Sequence, residues 1–352
     1  MTEEAELSAM SRHPARSAGF SLIEILVGVG IGMIGILVIM QVFTLSEGQR
    51  RTTSTGGDAQ TSGAIALYTM ERDIRQGGYG LASLNLVGCN VTLPNGSTVP
   101  AAPVAINPAG VPAGDANTDV IAVFYGNANA AIEGDFIIQQ PAATTYTVRT
   151  PSNFTSGDFV IAGPSPRPTP CNLTLAQINA PPGTTTVSVN TGQAGSANGT
   201  LFDLGQQPRI LVYAVHSGNL TVCDFTQNNC TSGVGDNTIW SPVAENIVSL
   251  RAEYGRDTSG PPMDGIADTY DQTTPTTACG WVRASALRIA LVARAGQYDK
   301  NDVTTAAPSW AGSSTTPIDL SDDSNWQHYR YKTFQTVVPL RNIAWMGVQS
   351  GC

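Results

Sequence analysis

The residues with the clearest capacity for chemistry are four aspartates within one short stretch, "DTSGPPMDGIADTYD", residues 257–271. Calcium takes six to eight oxygen ligands, mostly carboxylates and carbonyls supplied by a flexible loop. "DGIAD" places two carboxylates four residues apart around a glycine turn, with a backbone carbonyl between them. We interpret the stretch as a solvated acidic loop and expect no cofactor. The alternative is a calcium site formed by Asp257, Asp264, Ile266 (through its carbonyl), Asp268 and Asp271.

Catalytic patterns are missing from the sequence. The three histidines, His13, His216 and His328, have no nucleophile near them along the chain. No GxSxG, HExxH, phosphate-binding loop or dinucleotide-binding glycine pattern occurs in a suitable setting. We therefore expect no enzyme activity, and an exposed or strand-packed role for these histidines.

The six cysteines indicate disulfides in place of a metal centre. No CxxC pair occurs, and the count is even in a chain that carries an export-like segment. Six cysteines allow 15 pairings. The short, turn-rich stretch "CDFTQNNC" predicts a bond between Cys223 and Cys230, and buried free thiols stay the alternative for the other four.

Composition excludes nucleic-acid binding as the main role. The chain has 352 residues, a formal net charge of −9 and only 13% charged residues, with no basic patch interleaved with aromatic residues. The 36 glycines and 22 prolines favour strands, turns and long loops over a helical bundle.

An apolar run follows a polar leader at the N-terminus. Phe20 to Phe43 covers 24 residues, roughly 36 Å as a helix, which is enough to cross a bilayer. Arg12 and Arg16 precede the run and predict a cytoplasmic leader. A secretory signal would have a shorter apolar core with a small-residue cleavage site behind it. A plain signal anchor remains an alternative.

Glu24 is the one charged residue in that run. A lone carboxylate in lipid costs several kcal/mol unless it is paired. An α-amino group created by cutting before Phe20 would be a suitable partner. "GFSLIE", residues 19–24, resembles the class III signal of type IV pilins and pseudopilins. The resemblance implies cleavage between Gly19 and Phe20, N-methylation of Phe20, and docking of the subunit into a filament through Glu24.

Beyond the apolar run, the helical pattern continues with weak points. Gly28 and Gly32 have the GxxxG spacing that lets membrane helices approach closely. Gly56 and Gly57 predict an interruption of the helix, after which helical spacing resumes and stops at Gly77 and Gly78. We expect the later helix to present one apolar face to the protein's own sheet, formed by Ile65, Leu67, Tyr68, Met70, Ile74 and neighbouring small residues.

Short strands dominate after residue 80. Alternating or apolar runs bounded by turn residues predict strands in 118–126, 135–140, 144–150, 158–163, 184–190, 245–255, 284–295 and 328–342. "PRILVYAVHSGNLTVCDF", residues 208–225, predicts a hairpin with a Ser-Gly-Asn turn.

These C-terminal elements resemble the PilW family of minor pilins. "SGNL", "WSPVAENIVSLRAEYGRD", "DGIADTY" and "TVVPLRN" carry the similarity, over roughly residues 205–345 in addition to the signal. Residues 85–200 are only loosely similar and are interpreted as a family-variable insertion. The implied fold is α+β, with a long hydrophobic helix packed on an antiparallel β-sheet domain. The expected domains are a leader (1–19), the pilin helix (20–79, with 20–43 as membrane span and filament core) and a β-rich head (80–352).

The resemblance implies a minor pilin that helps to initiate pilus assembly in a priming or tip complex. A pseudopilin of type II secretion and a pilus-tip adhesin are the alternatives. Implied partners are prepilin peptidase, other minor pilins, the major pilin, the assembly platform in the inner membrane and, as a further option, a large tip adhesin. The head would lie in the periplasm before assembly and on the filament afterwards.

Overall fold

A computed structural model describes residues 19–129, 133–344, 346–347, 349 and 351–352, with the backbone alone for residues 51, 52, 54 and 55. The predicted leader, with Arg12, Arg16 and His13, lies outside the described residues, except for Gly19. The chain divides into two compact units, Met1–Ser54 and Thr55–Cys352.

Helix α1 covers Leu22–Gln76 and is helical through Gly56 and Gly57, so the predicted interruption there is wrong. A glycine costs about 1 kcal/mol in a helix interior, and that cost is not enough to break a helix of 55 residues. The predicted stop is confirmed, because the helix ends at Gln76 and Gly78 adopts a left-handed φ of +86°.

Within the second unit, the buried face of α1 differs from the predicted one. Met70 and Ile74 are buried as expected, whereas Ile65 and Tyr68 are exposed. Small residues take their places, because the remaining buried positions of the helix, apart from Asp73, are Ala59, Gly63 and Ala66. At Gly63 a Cβ would come within 2.1 Å of the Phe334 ring, so the absence of a side chain lets the helix lie close to the sheet there.

In the described residues, the remainder of the second unit is a β domain of 17 strands and two short α-helices. The strands are β1 (Asn90–Thr92), β2 (Thr98–Pro100), β3 (Val104–Ile106), β4 (Ile121–Tyr125), β5 (Asp135–Ala142), β6 (Thr145–Val148), β7 (Phe159–Gly163), β8 (Asn172–Gln177), β9 (Thr186–Ser188), β10 (Thr200–Gly205), β11 (Arg209–His216), β12 (Asn219–Asp224), β13 (Ser241–Ala244), β14 (Ile247–Arg256), β15 (Thr269–Asp271), β16 (Ala284–Arg294) and β17 (Tyr331–Pro339). The helices are α2 (Ala278–Val282) and α3 (Arg341–Ala344).

These strands form three sheets. One has the order β2-β1-β8-β7-β10-β5-β6-β9, a second β13-β12-β11-β4-β3, and a third β15-β14-β16-β17. All described pairings are antiparallel except β1 with β8. Each segment predicted as a strand contains one, including the hairpin of β11 and β12, in which His216 pairs with Asn219. The α+β class of a long apolar helix followed by antiparallel sheets is therefore confirmed.

Three hydrophobic cores stabilise the β domain. The largest joins α1 to all three sheets and includes Met70, Leu204 and Leu250. A second core belongs to the long sheet and includes Ile137, Tyr146 and Leu201. The third lies under the 310–326 loop, around Trp310. Residues 133–205 thus have a hydrophobic core of their own.

Candidate functional site

The predicted processing site lies in an exposed segment immediately before α1. Gly19 and Phe20 have no regular secondary structure, and 81% of Phe20 is exposed. No other part of the described chain comes within 4 Å of a Cβ placed on Gly19. In the described structure, the Gly19–Phe20 bond is therefore not covered by the protein itself.

The Glu24 carboxylate turns back toward that segment. The backbone N–H of Ser21 donates to Glu24 Oε2 at 3.4 Å, and the N–H of Glu24 donates to the Ser21 carbonyl at 3.0 Å. A serine followed three residues later by a glutamate at a helix start is the capping-box pattern. The carboxylate also lies at the positive end of the helix dipole. Glu24 is thus held beside the peptide that follows Phe20.

The helix behind Glu24 presents an apolar surface that the protein does not cover. In the described chain, Leu22–Arg50 is one helix that is long and apolar enough to cross a membrane, with a mean hydropathy of 2.7 and none of its most apolar window buried. Nothing lies within 4 Å of the space beside its glycines, Gly28, Gly30, Gly32 and Gly35. Such a surface needs lipid or other apolar helices around it.

The acidic residues of the 257–271 stretch are already satisfied by the chain. Asp257 is buried and accepts hydrogen bonds from Ser259 and from the Gly265 N–H (2.6 Å), with Arg283 3.6 Å away. Burial alone would raise the pKa of Asp257, yet these donors and the arginine lower it. Asp271 is held by Arg256 at 2.6 Å, and this pairing outweighs burial and lowers the pKa of Asp271.

The other two carboxylates also form hydrogen bonds within the loop. Asp264 accepts the Ile266 N–H at 2.9 Å, and Asp268 accepts the Thr258 N–H at 2.7 Å. No group of three or more His, Cys, Asp or Glu side chains in the described residues is arranged to hold a metal ion. The residues present therefore do not fit the calcium site predicted from Asp257, Asp264, Ile266, Asp268 and Asp271. The sequence spacing could not reveal that two arginines take up this charge.

All six cysteines are paired. Cys223 and Cys230, the pair singled out from the sequence, are joined, with a Cα–Cα distance of 5.9 Å. Cys89 bonds to Cys171 and Cys279 to Cys352, so the alternative of free thiols does not apply. Disulfides are typical of exported proteins.

The described histidines do not form a reactive group. The Nδ1 of His216 lies 2.9 Å from Thr221 Oγ1, and its ring meets Trp240 edge-on at 4.6 Å. His328 lies 3.6 Å from Asp302 at the surface. Burial lowers the pKa of His216, and the charge of Asp115 only partly opposes this.

Two buried acidic residues that the sequence did not single out stabilise the head. Glu253 is fully buried, accepts from Arg288 and from Thr316 Oγ1 (2.8 Å), and thereby joins the loop around residue 316 to β14 and β16. Asp119 accepts the Ala252 N–H at 2.9 Å and lies 3.3 Å from Arg251. Both carboxylates act between strands distant in the sequence.

Comparisons with known proteins match the two parts of the chain that carry the sequence motifs. The model of the prokaryotic N-terminal methylation motif matches residues 14–40, which include Gly19, Phe20 and Glu24. The model of the type IV pilus-assembly protein W family matches residues 212–342, from within β11 to α3. No curated protein matches the chain significantly.

A solved structure also resembles the chain. It is a type IV-like pilin from Thermus thermophilus, with 11% sequence identity and a TM-score of 0.31, and the alignment covers 80% of this chain and 94% of that one. The two family matches lie at opposite ends of the described chain and agree with its uncovered apolar helix and its antiparallel head. The chain is therefore similar to the PilW family of pilus-assembly proteins over residues 212–342 and to proteins with the prokaryotic N-terminal methylation motif over residues 14–40.

Proposed function

We propose that this chain is a minor pilin of a type IV pilus that helps to initiate filament assembly in a priming or tip complex. The observation that carries the proposal is an uncovered, membrane-length helix that starts with a single carboxylate behind a Gly-Phe bond. Prepilin peptidase cuts between Gly19 and Phe20, and the new Phe20 amine is methylated.

In this proposal Glu24 exchanges partners during assembly. In the isolated chain its carboxylate has a weak contact, 3.4 Å to an exposed amide. A neighbour's N-terminal ammonium group offers a charged partner inside an apolar filament core, where an unpaired carboxylate is costly. The subunit would thereby be selected by the complementarity of one carboxylate and one amine.

The remaining roles follow from the two-part structure. Before assembly, α1 anchors the chain in the inner membrane and the disulfide-linked head lies in the periplasm; afterwards the chain is part of the filament. Other minor pilins, the major pilin and the assembly platform are the partners of the helix. The match to a pilus-assembly family favours a pilus subunit over a type II secretion pseudopilin.

Adhesion is a second candidate function. Residues 133–205 lie outside both family matches and have their own hydrophobic core. A module of this kind at a filament tip could contact an external ligand without disturbing the assembly surfaces. If deletion of residues 133–205 abolished adhesion to host or abiotic surfaces in a strain that still forms pili, the result would support this role.

Glu24→Gln tests the docking role, with Asp58→Asn as the matched control. Asp58 is an exposed carboxylate on the later part of the same helix, so the control removes the same charge. We expect Glu24→Gln to be cleaved normally but to enter filaments at least tenfold less, a deficit of about 1.4 kcal/mol or more. Quantitative immunoblots of sheared filaments and of membranes provide the readout. Wild-type incorporation of Glu24→Gln would refute the docking role.

A further inference from the structure

A polar pocket of about 540 Å³ opens beside the second hydrophobic core, in the part of the chain that neither family match covers. Oxygen-bearing side chains form most of its wall, including Asn129, Ser152, Asn153, Thr155, Asp158 and Asp203. Within the described residues, no basic and no aromatic side chain lines it.

The pairing of β7 with β10 brings the two aspartates of the lining, Asp158 and Asp203, to the same end of the sheet. Asp203 of β10 pairs with Val160 of β7, and Gly205 pairs with Phe159, the residue that follows Asp158. A bulge between Asp203 and Gly205 redirects the chain at this point. Gly205 has a left-handed φ of +77°, and a Cβ there would come 2.5 Å from the Asn127 side chain, so this corner is built around a glycine.

The side chain of Asp203 is buried but has an unused oxygen. Asp203 is 6% exposed, and its Oδ1 accepts the Gly205 N–H at 2.8 Å. Its Oδ2 has no hydrogen-bond partner among the described residues, and it is not sealed from solvent. Because Asp203 lines the pocket, that oxygen is available to a ligand in it.

Asp158 is the second buried carboxylate that lines this pocket. It is also 6% exposed, its Oδ2 accepts the Thr155 N–H at 2.6 Å, and the Gln206 side chain is a further hydrogen-bond donor to its carboxylate. Burial raises the pKa of Asp203 to about 6, with a further contribution from the charge of Asp158, and burial raises the pKa of Asp158 too. Unlike Asp257 and Asp271, neither carboxylate has an arginine beside it in the described structure.

We propose that this pocket binds a calcium ion through the free Oδ2 of Asp203 and the carboxylate of Asp158, with amide, hydroxyl and water oxygens completing the shell. Calcium prefers oxygen ligands at flexible, mixed sites, and extracellular modules bind it with dissociation constants of about 0.1 to 1 mM. A neutral hydroxyl-rich ligand would leave the two buried charges uncompensated. The site is independent of the 257–271 loop and of the proposed role in assembly.

Isothermal titration of the full chain in detergent with calcium chloride, after removal of metal with EDTA, tests the proposal. We expect one ion per chain with a dissociation constant of about 0.1 to 1 mM. Asp203→Asn and Asp158→Asn keep an oxygen for the same amide but remove the charge, and we expect each to weaken binding at least tenfold. Asp264→Asn, in the 257–271 loop, is the matched control and should bind as wild type does.

Thermal melting in EDTA separates loss of the site from loss of the fold. Removing a buried, uncompensated charge should leave the melting temperature of Asp203→Asn equal to or above that of wild type. A variant that melts well below wild type in EDTA would overturn the proposal, because the charge would then be structural. Absence of binding by wild type up to about 10 mM calcium, or loss of binding in Asp264→Asn, would also overturn it.

Discussion

At the scale of single residues, the proposed docking role would give the Glu24 carboxylate two successive partners. It caps its own helix through Ser21, and the contact is long and exposed. An N-terminal ammonium group in a water-poor core would bind the same carboxylate more strongly, because charge-assisted hydrogen bonds are about twice as strong as neutral ones. The weak first contact therefore favours transfer to the second.

We expect His216 to make the stability of the head dependent on pH. Its folded pKa is lowered by burial, so the unfolded chain binds the proton more readily than the folded one. Neutral His216 thus stabilises fully above the unfolded pKa of about 6.5, and this contribution is lost as pH falls below that value. We expect the free energy of unfolding to fall more steeply below pH 6.5 in wild type than in His216→Gln.

Urea denaturation at a series of pH values measures this difference. His328→Gln, at the other described histidine, controls for the general effect of losing an imidazole. Equal slopes for wild type and His216→Gln would show that the buried imidazole has no part in the pH dependence.

Motifs formed by residues adjacent in the sequence were predictable, whereas contacts between residues distant in the sequence were not. The motif "GFSLIE" can be recognised from the sequence because it depends only on residues adjacent in the chain. The 257–271 loop allows a solvated acidic loop or a calcium site by its sequence, and only the structure shows that Arg256 and Arg283 take up part of its charge. Asp158 and Asp203 are 45 residues apart, and only the register of β7 and β10 brings them together.

At the scale of elements, the end of the helix was predicted, but its continuity through Gly56 and Gly57 was not. The predicted face included Ile65 and Tyr68, whereas the observed face combines Met70 and Ile74 with small residues. Close approach to the sheet at Gly63 excludes larger side chains there. The longer strands were predictable because they alternate or are apolar throughout, but three-residue strands such as β1 and β2 contain too few residues to show a period.

A buried hydrogen bond joins α1 to the sheet that contains β11. Asp73 of α1 is 3% exposed and accepts the Tyr213 hydroxyl of β11 at 2.5 Å. We expect Tyr213→Phe to destabilise the folded chain by about 1 to 3 kcal/mol, because the Asp73 carboxylate would lose a buried donor.

Chemical denaturation measures the change, and Tyr68→Phe is its control. Tyr68 lies on the same helix but is 69% exposed, so removal of its hydroxyl should change stability by less than about 0.5 kcal/mol. If both variants were equally stable, the Asp73–Tyr213 contact would not hold the helix to the sheet.

At the scale of the whole molecule, an apolar, uncovered helix is combined with a heavily cross-linked head. The three disulfides span 82, 7 and 73 residues, and the two long ones connect segments that the sequence separates widely. Their pairing was not predictable, because six cysteines allow 15 arrangements and only the shortest loop stands out.

The disulfides differ in the stability they provide. Closing a longer loop removes more freedom from the unfolded chain, so replacing Cys89 and Cys171 by alanine should cost about 2 kcal/mol more than replacing Cys223 and Cys230. The two double variants are matched, since each removes one bond. Denaturation under oxidising conditions measures both, and an equal or reversed order would contradict the loop-length account.

The measurement that tests the central claim most directly is quantitative mass spectrometry of filaments sheared from the cell surface. The account predicts a small amount of this chain relative to the major pilin, with a mature N-terminus of N-methylated Phe20. A chain that keeps residues 1–19 and is found in membranes but not in filaments would contradict the account, because Gly19, Phe20 and Glu24 would then only begin a membrane anchor.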